Sequence, residues 1–302
     1  MNTTLSKTAL IVTLTRTIFT LSIQCLIDKI EALVHYYTYK PTSSPKNVLV
    51  IGASYAGYVC AEHLSHTLPS GYRVILIEKN THFNHTWLFP RTSVFAGSQQ
   101  NITKLSYIPY PEAPRWAPRG SYLFKNAKAV SIDSGNGEKH KHVILDSGET
   151  IDFTHLVLAI GLPGRYPLGI DNLQREQALP YFATLQARVN QANNVLVIGG
   201  GPVGIEVALD VASVYPEKSV TLIHSRDRLA GKYGANLHDA CLKVLEGESV
   251  RVILGERPAV DGTRAAAGEK VTLSTGETVL ADVVVSHRTM KKITGSLLIM
   301  CR

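Results

Sequence analysis

The stretch from Asn194 to Arg226, NVLVIGGGPVGIEVALDVASVYPEKSVTLIHSR, determines the fold class of this chain. An apolar, β-branched run at Val195–Ile198 leads into a cluster of glycines. A helical pattern without Pro or Gly follows from Ile205 to about Val214, and a second apolar run covers Val220–Ile223. A strand, a glycine-rich turn, a helix and a strand in this order form a βαβ unit, which is the building block of a parallel α/β sheet.

The glycines of this unit have the spacing G-x-G-x-x-G, at Gly199, Gly201 and Gly204. In a dinucleotide site the first glycine permits the tight turn, the second lets a pyrophosphate approach the backbone, and the third allows close packing of helix and strand. The helix N-terminus offers N–H groups and partial positive charge to the phosphates. We therefore predict that a dinucleotide rather than an ordinary βα turn occupies this site, which includes Pro202 and Val203.

The same pattern occurs earlier in the chain, as an internal repeat. NVLVIGASYAG at Asn47 aligns with NVLVIGGGPVG at Asn194, at an offset of 147 residues. Serine replaces the middle glycine of the fingerprint. Two dinucleotide folds in one chain imply two nucleotides with electrons passing between them. The predicted binding residues of the first turn are Gly52, Ser54, Tyr55, Ala56 and Gly57.

The two repeats differ where the second strand ends. In the first repeat the strand Val74–Ile77 ends in Glu78, 26 positions after Gly52, where a carboxylate can accept hydrogen bonds from both ribose hydroxyls of an adenosine. The alternative is a surface glutamate at a strand end. His224 occupies the corresponding position of the second repeat and Arg226 follows it. Histidine and arginine can accommodate a 2′-phosphate, so the nucleotide is either NADH or NADPH.

Composition and charge exclude several other classes of protein. The 302 residues carry a formal net charge of +7, but the lysines and arginines are scattered, without a basic run and interleaved aromatics, so we predict no nucleic-acid partner. The four cysteines, at positions 25, 60, 241 and 301, are far apart and contain no C-x-x-C, which indicates neither a zinc site nor a disulfide framework.

Residues 1–45 form a separate N-terminal segment, predicted to be an amphipathic helix followed by a Pro- and Ser-containing linker. The run from Ala9 to Ile27 is mostly apolar or small, but Arg16 interrupts it. Three interpretations are open: a helix lying on a membrane through residues 5–38, an organelle-targeting leader, or a helix packed on the protein body. The expected location is mitochondrial or cytoplasmic, with membrane association.

The segment Glu78–Arg91, EKNTHFNHTWLFPR, resembles the FAD- and NAD(P)-binding pyridine nucleotide-disulfide oxidoreductase superfamily. Disulfide reductases of that superfamily carry a redox cysteine pair shortly after this acidic residue, and this chain has no cysteine between Cys60 and Cys241. The non-disulfide branch is therefore more similar, namely apoptosis-inducing-factor-like mitochondrion-associated oxidoreductases and type II NADH dehydrogenases.

This resemblance implies cofactors and further site residues. It implies FAD and NAD(P)H, and it places Lys79 and Arg91 near the flavin. Ala159-Ile160-Gly161 is similar to the family's A-T-G segment, so Ala159 and Gly161 are predicted to lie near the flavin. Glu206 matches a family glutamate near the nicotinamide, although an acid favoured by the helix dipole is the alternative.

The predicted fold is α/β, with two Rossmann-like dinucleotide-binding domains and the NAD(P) domain inserted in the FAD domain. We assign residues 46–165 to the FAD-binding domain, 166–286 to the NAD(P)-binding domain and its return strand, and 287–302 to an atypical tail. The expected activity is transfer of a hydride from NAD(P)H to the flavin and of electrons to a quinone or another acceptor. Because the cofactors carry this chemistry, we name no catalytic side chain.

The tail at residues 287–302 supports a second hypothesis about the function of the chain. Family members continue with a strand and a Gly-Asp pair near the flavin, and residues 289–302 contain neither. The second hypothesis is therefore a truncated, catalytically inactive nucleotide-binding fragment or regulatory isoform.

Overall fold

The computed structural model describes residues 2–95, 100–133, 141–161, 174–258 and 268–286. The predicted tail at 287–302 and the predicted domain boundary at 165 and 166 lie outside these residues. The described chain divides into two compact units. Unit 1 contains the described residues of 2–79 and 111–161, and unit 2 contains those of 80–110 and 162–286.

The described residues form seven α-helices, fifteen short strands and one 3₁₀ turn at Thr86–Leu88. In chain order the elements are α1 (Asn2–Thr38), β1 (Lys46–Ile51), α2 (Tyr55–Thr67), β2 (Tyr72–Glu78), β3 (His82–Asn84), α3 (Phe89–Val94), α4 (Gln100–Leu105), β4 (Tyr107–Pro109), β5 (Tyr122–Asn126), β6 (Ala129–Asp133), β7 (His142–Leu145), β8 (Thr150–Asp152), β9 (His155–Leu158), α5 (Arg175–Gln191), β10 (Asn194–Ile198), α6 (Pro202–Val214), β11 (Ser219–His224), α7 (Ala235–Gly247), β12 (Arg251–Leu254), β13 (Glu269–Thr272), β14 (Thr278–Ala281) and β15 (Val283–Ser286).

Unit 1 is built on a parallel sheet with the strand order β5-β2-β1-β9. Its central strand β1 places Val48 opposite both Val74 and His155. A smaller antiparallel sheet, β6-β7-β8, shares a hydrophobic core with one face of the parallel sheet. Leu49 and Ile75 from the parallel sheet are buried in this core. Because these central strands are buried, they read as continuous apolar runs in the sequence.

Unit 2 contains a second parallel sheet, with the order β12-β11-β10-β15. Alternate side chains of β10 lie on opposite faces, so Val195 and Val197 pack with α6 while Leu196 and Ile198 pack with the hairpin β13-β14. Both sheets thus have the same arrangement, in which the strand before the glycine turn lies between the next strand and a later return strand. The predicted α/β fold with parallel sheets is confirmed.

Residues 80–110 group differently from the predicted domain 46–165. They belong to unit 2, where α3 and β4 pack against α5. The reason is an aromatic cluster in which the Phe89 and Phe182 ring centroids are 5.0 Å apart and Tyr107 contacts both rings. The assignment of FAD- and NAD(P)-binding domains remains a prediction.

The strand β5 follows a segment with prolines at 109, 111, 114 and 118, and its own sequence gives little indication of a strand. Its side chains are half-buried or exposed, so its sequence shows neither clean alternation nor a buried apolar run. It forms because backbone groups pair with the edge of β2, with Val74 opposite Tyr122.

Helix α1 is continuous, and its apolar surface is wide. Leu10, Ile11 and Val12 are consecutive and all more than half exposed, so apolar side chains cover more of the circumference than one narrow stripe. Within the described residues, the part Lys7–Thr38 is long and apolar enough to cross a membrane by length and composition, a test that a signal sequence also meets. Only its C-terminal end packs on unit 1.

Candidate nucleotide-binding sites

The glycine turns of both repeats are compact for the same reason. A Cβ atom on Gly57 would lie 1.8 Å from the carbonyl oxygen of Gly52, and one on Gly204 would lie 1.8 Å from that of Gly199. No side chain fits at this distance, so the third fingerprint glycine is required for the helix to approach the strand. Each repeat thereby brings a helix N-terminus onto the end of its first strand.

The middle position of the fingerprint has a different character. A Cβ atom on Gly201 would meet no protein atom within 4 Å, so the packing of the protein does not require glycine there. The space above Gly201 is open, as a site for a pyrophosphate on the backbone requires. In the first repeat Ser54 occupies this position and is exposed.

The two helices that follow the turns have uncapped N-termini. Ser54 before α2 and Gly201 before α6 make no side-chain capping hydrogen bond, and neither helix has an acidic residue in its first turn. Backbone N–H groups at such an end have no intrahelical acceptor, and the helix dipole adds partial positive charge. These ends fit an anionic group such as a pyrophosphate.

Glu78 lies at the carboxyl end of β2, against the first turn. Its carboxylate accepts a hydrogen bond of 2.7 Å from the backbone N–H of Ala53, and its residue is only 8% exposed. The side chain of Asn126 donates to the Glu78 carbonyl oxygen at 2.9 Å. The carboxylate is therefore held at the carboxyl end of β2 next to the turn, in the position from which it can accept ribose hydroxyls.

His224 makes the corresponding contact in the second repeat. The backbone N–H of Gly200 donates to His224 Nδ1 at 3.1 Å. Nδ1 must be unprotonated to accept this bond, so the ring is neutral and carries its proton on Nε2. Partial burial, with a smaller contribution from Arg226, lowers the pKa of His224, while a hydrogen bond of the ring with the Arg228 backbone opposes this. A neutral imidazole thus stands where Glu78 places a carboxylate.

The residues after His224 leave this corner basic. Ser225 is half-buried, and Arg226 and Arg228 are exposed beyond it. The backbone around them is anchored, since Gly255 donates its N–H to the carbonyl oxygen of Arg226 at 3.1 Å. The two guanidinium groups can interact with a phosphate monoester and outnumber the one exposed carboxylate between them, that of Asp227, while His224 adds no negative charge.

The predicted residues Ala159 and Gly161 lie beside the first turn. Ala159 donates its N–H to the Ile51 carbonyl oxygen at 2.8 Å, which continues the pairing of β9 with β1. A Cβ atom on Gly52 would lie 2.4 Å from the carbonyl oxygen of Ala159, so the two segments are in close contact. Gly161, two residues later, has a φ of 62°. Lys79, the other residue predicted near the flavin in this unit, directly follows β2 and is exposed.

Arg91, predicted to lie near the flavin, is found in unit 2 beside α6. Its guanidinium is 3.9 Å from the Asp210 carboxylate and stacks on the Phe95 ring at 4.8 Å. Glu206 belongs to the same cluster and lies in the second turn of α6. Although the Glu206 side chain reaches solvent, partial burial of its carboxyl group raises the pKa of Glu206, Asp210 adds to this, and Arg91 opposes it.

Asp210 is a member of this cluster that the sequence analysis missed. It lies one helical turn after Glu206, a spacing that puts both acids on one face of α6 and could have indicated the pair. Burial raises the pKa of Asp210, with Arg91 opposing. Its Oδ2 atom is buried without a hydrogen-bond partner. The backbone donors at Ala53 and Gly200 were also missed, because a backbone N–H has no sequence signature.

The structure therefore assembles two sets of predicted residues. In unit 1 the first turn, Glu78 and Ala159 are in contact, and in unit 2 the second turn contacts His224 while Glu206 and Arg91 form a separate charged cluster. A buried carboxylate, a neutral imidazole, an open space above Gly201 and two uncapped helix ends fit two dinucleotides.

Comparison with known proteins agrees with this geometry. A sequence model of the family described as pyridine nucleotide-disulphide oxidoreductase matches residues 46–287. The family and its structural neighbours bind NADH or NADPH and FAD, which are the predicted cofactors. The predicted family resemblance is confirmed.

Curated relatives include proteins of the predicted branch. Fe-regulated protein 8 of Mycosarcoma maydis is 29% identical over 231 residues, covering 72% of this chain and 57% of that protein. Ferroptosis suppressor protein 1 of Xenopus tropicalis is 30% identical over 212 residues, covering 70% and 52%. Apoptosis-inducing factor homolog B of Dictyostelium discoideum is 27% identical over 227 residues, covering 72% and 53%. The chain spans about half the length of these relatives.

Solved structures share the fold. The sulfide:quinone oxidoreductase of Aquifex aeolicus superposes with a TM-score of 0.57 at 22% identity, covering 80% of this chain and 58% of that one. An engineered NADPH oxidase, derived from the NADH oxidase of Lactobacillus brevis and bound to NADPH, superposes with a TM-score of 0.58 at 19% identity, covering 82% and 55%. Its five substitutions remove one aspartate and introduce two arginines.

Proposed function

The chain belongs to the pyridine nucleotide-disulphide oxidoreductase family, and on that premise we propose that it is an FAD-dependent NAD(P)H oxidoreductase that passes electrons to a quinone or another acceptor. One observation carries this proposal. In both repeats the residue after the first glycine donates its backbone N–H to the side chain at the tip of the second strand, and that side chain is a carboxylate in one repeat and an imidazole in the other. Two similar glycine turns with different side chains at the predicted ribose position are suited to two different nucleotides.

The residues of each site have distinct tasks under this proposal. The first turn and Glu78 hold FAD through its pyrophosphate and adenosine ribose, and the second turn holds NAD(P)H. A bound flavin supplies the redox chemistry, since it accepts a hydride from a reduced nicotinamide and returns electrons to an acceptor. The protein orients the two nucleotides, and the chain divides into an FAD-binding part and an NAD(P)-binding part inserted in its sequence.

The second turn favours NADPH as the donor. Neutral His224 avoids the negative charge that would repel a 2′-phosphate, while Arg226 and Arg228 supply positive charge after it. The engineered NADPH oxidase also becomes more positive through its substitutions, since it loses an aspartate and gains two arginines. We therefore extend the proposal from NAD(P)H to a preference for NADPH.

The acceptor and location remain part of the proposal. A quinone is supported by the resemblance to the non-disulfide branch, and a structural neighbour is named for that acceptor. A lipid-soluble acceptor agrees with a mitochondrial or cytoplasmic protein that contacts a membrane through residues 5–38, whose exposed apolar side chains support such contact.

The decisive experiment is a visible spectrum of the purified full chain after incubation with FAD and removal of free flavin. We expect flavin bands that bleach when NADPH is added without oxygen and recover when a soluble quinone is added. The Glu78→Gln variant, whose amide oxygen can still accept the Ala53 N–H, serves as the control for flavin held at the predicted turn. A colourless protein that still binds NADPH would contradict the enzyme and support a nucleotide-binding fragment.

A further inference from the structure

Helix α1 exposes ten large apolar side chains between residues 8 and 27. They are Leu10, Ile11, Val12, Leu14, Ile18, Phe19, Leu21, Ile23, Leu26 and Ile27, each at least 41% exposed. Successive helical residues are about 100° apart, so these side chains cover the circumference except for a sector of roughly 100° that holds Thr13, Thr17, Thr20 and Gln24. A helix that docks on one protein partner needs only a narrow apolar stripe, and this apolar surface is much wider.

Three hydroxyl groups of this segment are satisfied inside the helix. Thr13 donates to the Ala9 carbonyl oxygen at 2.8 Å, Thr20 to that of Arg16 at 2.9 Å, and Ser22 to that of Ile18 at 2.8 Å. Such back-bonding means that these three hydroxyl protons need no water. In a hydrocarbon environment, where polar groups need internal partners, these residues are therefore tolerated.

The length of the segment matches a bilayer. Residues 8–27 in α-helical conformation are about 30 Å long, which equals the usual thickness of the hydrocarbon core. Lys7 precedes the segment, and Asp28 and Lys29 follow it. Charged residues thus mark both of its ends, as expected where a helix enters the headgroup regions.

Arg16 is the feature that opposes insertion. A central arginine disfavours insertion of a helix roughly 100-fold, whereas each large aliphatic or Phe side chain favours it about twofold. Ten such side chains together outweigh the one arginine. The balance is nevertheless modest, so single substitutions at the centre should change it measurably.

The C-terminal end of α1 connects the segment to unit 1. His35 Nε2 lies 2.7 Å from the Leu68 carbonyl oxygen, and the Tyr39 hydroxyl donates to that of Tyr72 at 2.8 Å. Ala32 and Tyr39 are buried there. Since the helix is continuous from Asn2 to Thr38, a membrane-inserted segment would hold unit 1 close to the bilayer surface.

We propose that residues 8–27 of α1 insert into the hydrocarbon core of a lipid bilayer and anchor the protein as an integral membrane protein. This goes beyond surface contact, because a peripheral helix has a strongly charged polar face and low overall hydrophobicity, whereas Arg16 is the one charged residue among residues 8–27. The anchor does not depend on bound nucleotide, so it can be tested apart from the proposed oxidoreductase activity.

The test is cell-free synthesis of the full chain with phosphatidylcholine vesicles, followed by flotation before and after an alkaline carbonate wash. We expect the wild-type chain to float with the vesicles after the wash. Ile18→Arg should reduce the retained fraction strongly, because its insertion equilibrium falls about 100-fold. The matched control Leu33→Arg, exposed on the same helix but outside the segment, should leave retention unchanged.

Several outcomes would contradict the proposal that residues 8–27 insert into the bilayer. Release of the wild-type chain by carbonate would identify surface contact, and equal behaviour of the two arginine variants would show that the segment does not insert. Recovery from cells of a chain that begins after residue 27 would identify a cleaved leader. The Arg16→Leu variant gives an independent check, since it should float at least as completely as the wild type.

Discussion

The backbone N–H of Gly200 donates a hydrogen bond to Nδ1 of His224 at 3.1 Å. The bond assigns the tautomer, because Nδ1 can accept only when the imidazole proton is on Nε2. It also identifies His224 as the counterpart of Glu78, which accepts the N–H of Ala53 at the same place in the first repeat. The exchange of carboxylate for imidazole is therefore the main chemical difference between the two turns.

Replacing His224 by Glu should shift the nucleotide preference from NADPH toward NADH. The carboxylate would accept ribose hydroxyls and repel a 2′-phosphate, so NADPH affinity should fall about tenfold to 100-fold relative to that of NADH. The measurement is the dissociation constant of each nucleotide by fluorescence titration. His63→Glu, an exposed change of the same charge on α2, is the control. An unchanged NADPH-to-NADH ratio would remove His224 from nucleotide selection.

Alanine at two glycines of the second turn should separate stability from binding. In Gly201→Ala the added Cβ meets no protein atom within 4 Å, so the free energy of unfolding should stay within about 1 kcal/mol of wild type. The variant should nevertheless weaken NAD(P)H binding, because its methyl group fills the space above the turn. Gly204→Ala should lower both, since its Cβ would lie 1.8 Å from a carbonyl oxygen.

Denaturant unfolding and nucleotide titration measure the two effects of these glycine variants. Gly247→Ala in α7, where a Cβ meets nothing within 4 Å, controls for the intrinsic effect of alanine. Normal NAD(P)H affinity in Gly201→Ala would show that no pyrophosphate lies above the turn.

Replacing Glu78 by Gln should weaken flavin binding more than folding. The amide oxygen can still accept the Ala53 N–H, but the charge that strengthens hydrogen bonds from ribose hydroxyls is lost. We expect FAD affinity to fall about tenfold to 100-fold, as for loss of a charged hydrogen bond. Flavin content after gel filtration gives the result, with the exposed Glu112→Gln as control. Equal flavin content in both variants would contradict the ribose role.

The pH dependence of stability should reveal the burial of Asp210. Its folded pKa is raised, so the folded state binds more protons than the unfolded state from its unfolded pKa near 3.8 up to its folded pKa. This contribution stabilises the protein at acidic pH and is lost as the pH rises through that window. Asp210→Asn lacks it, so the variant should gain stability relative to wild type as the pH rises from 3.8 through the folded pKa of Asp210.

Unfolding by urea at several pH values tests this expectation, with the exposed Asp239→Asn as control. Loss of the contact between Arg91 and Asp210 should lower the free energy of unfolding of the variant only slightly, because Arg91 is 53% exposed and the pair is 3.9 Å apart. A stability difference that is constant with pH would show that Asp210 is charged and well accommodated in the folded protein.

Sequence reasoning located the βαβ units well, for a physical reason. The strands β1 and β10 are buried on both faces, so their apolar runs and the glycines after them are visible in local sequence. The strand β5 escaped because an edge strand that is half-exposed needs no regular pattern. Residues 80–110 group with unit 2, although they are close in the chain to unit 1, since packing of Phe89 against Phe182 joins segments far apart in sequence.

The amino-acid sequence alone determined the two glycine turns, the acid and the histidine that follow them, and the apolar composition of α1, because each depends on residues close together in the chain. Only the tertiary structure decided which N–H His224 accepts, that Asp210 is buried beside Arg91, and that the apolar side chains of α1 are left uncovered. Protonation, burial and exposure depend on neighbours that folding brings from distant segments, so no local pattern can specify them.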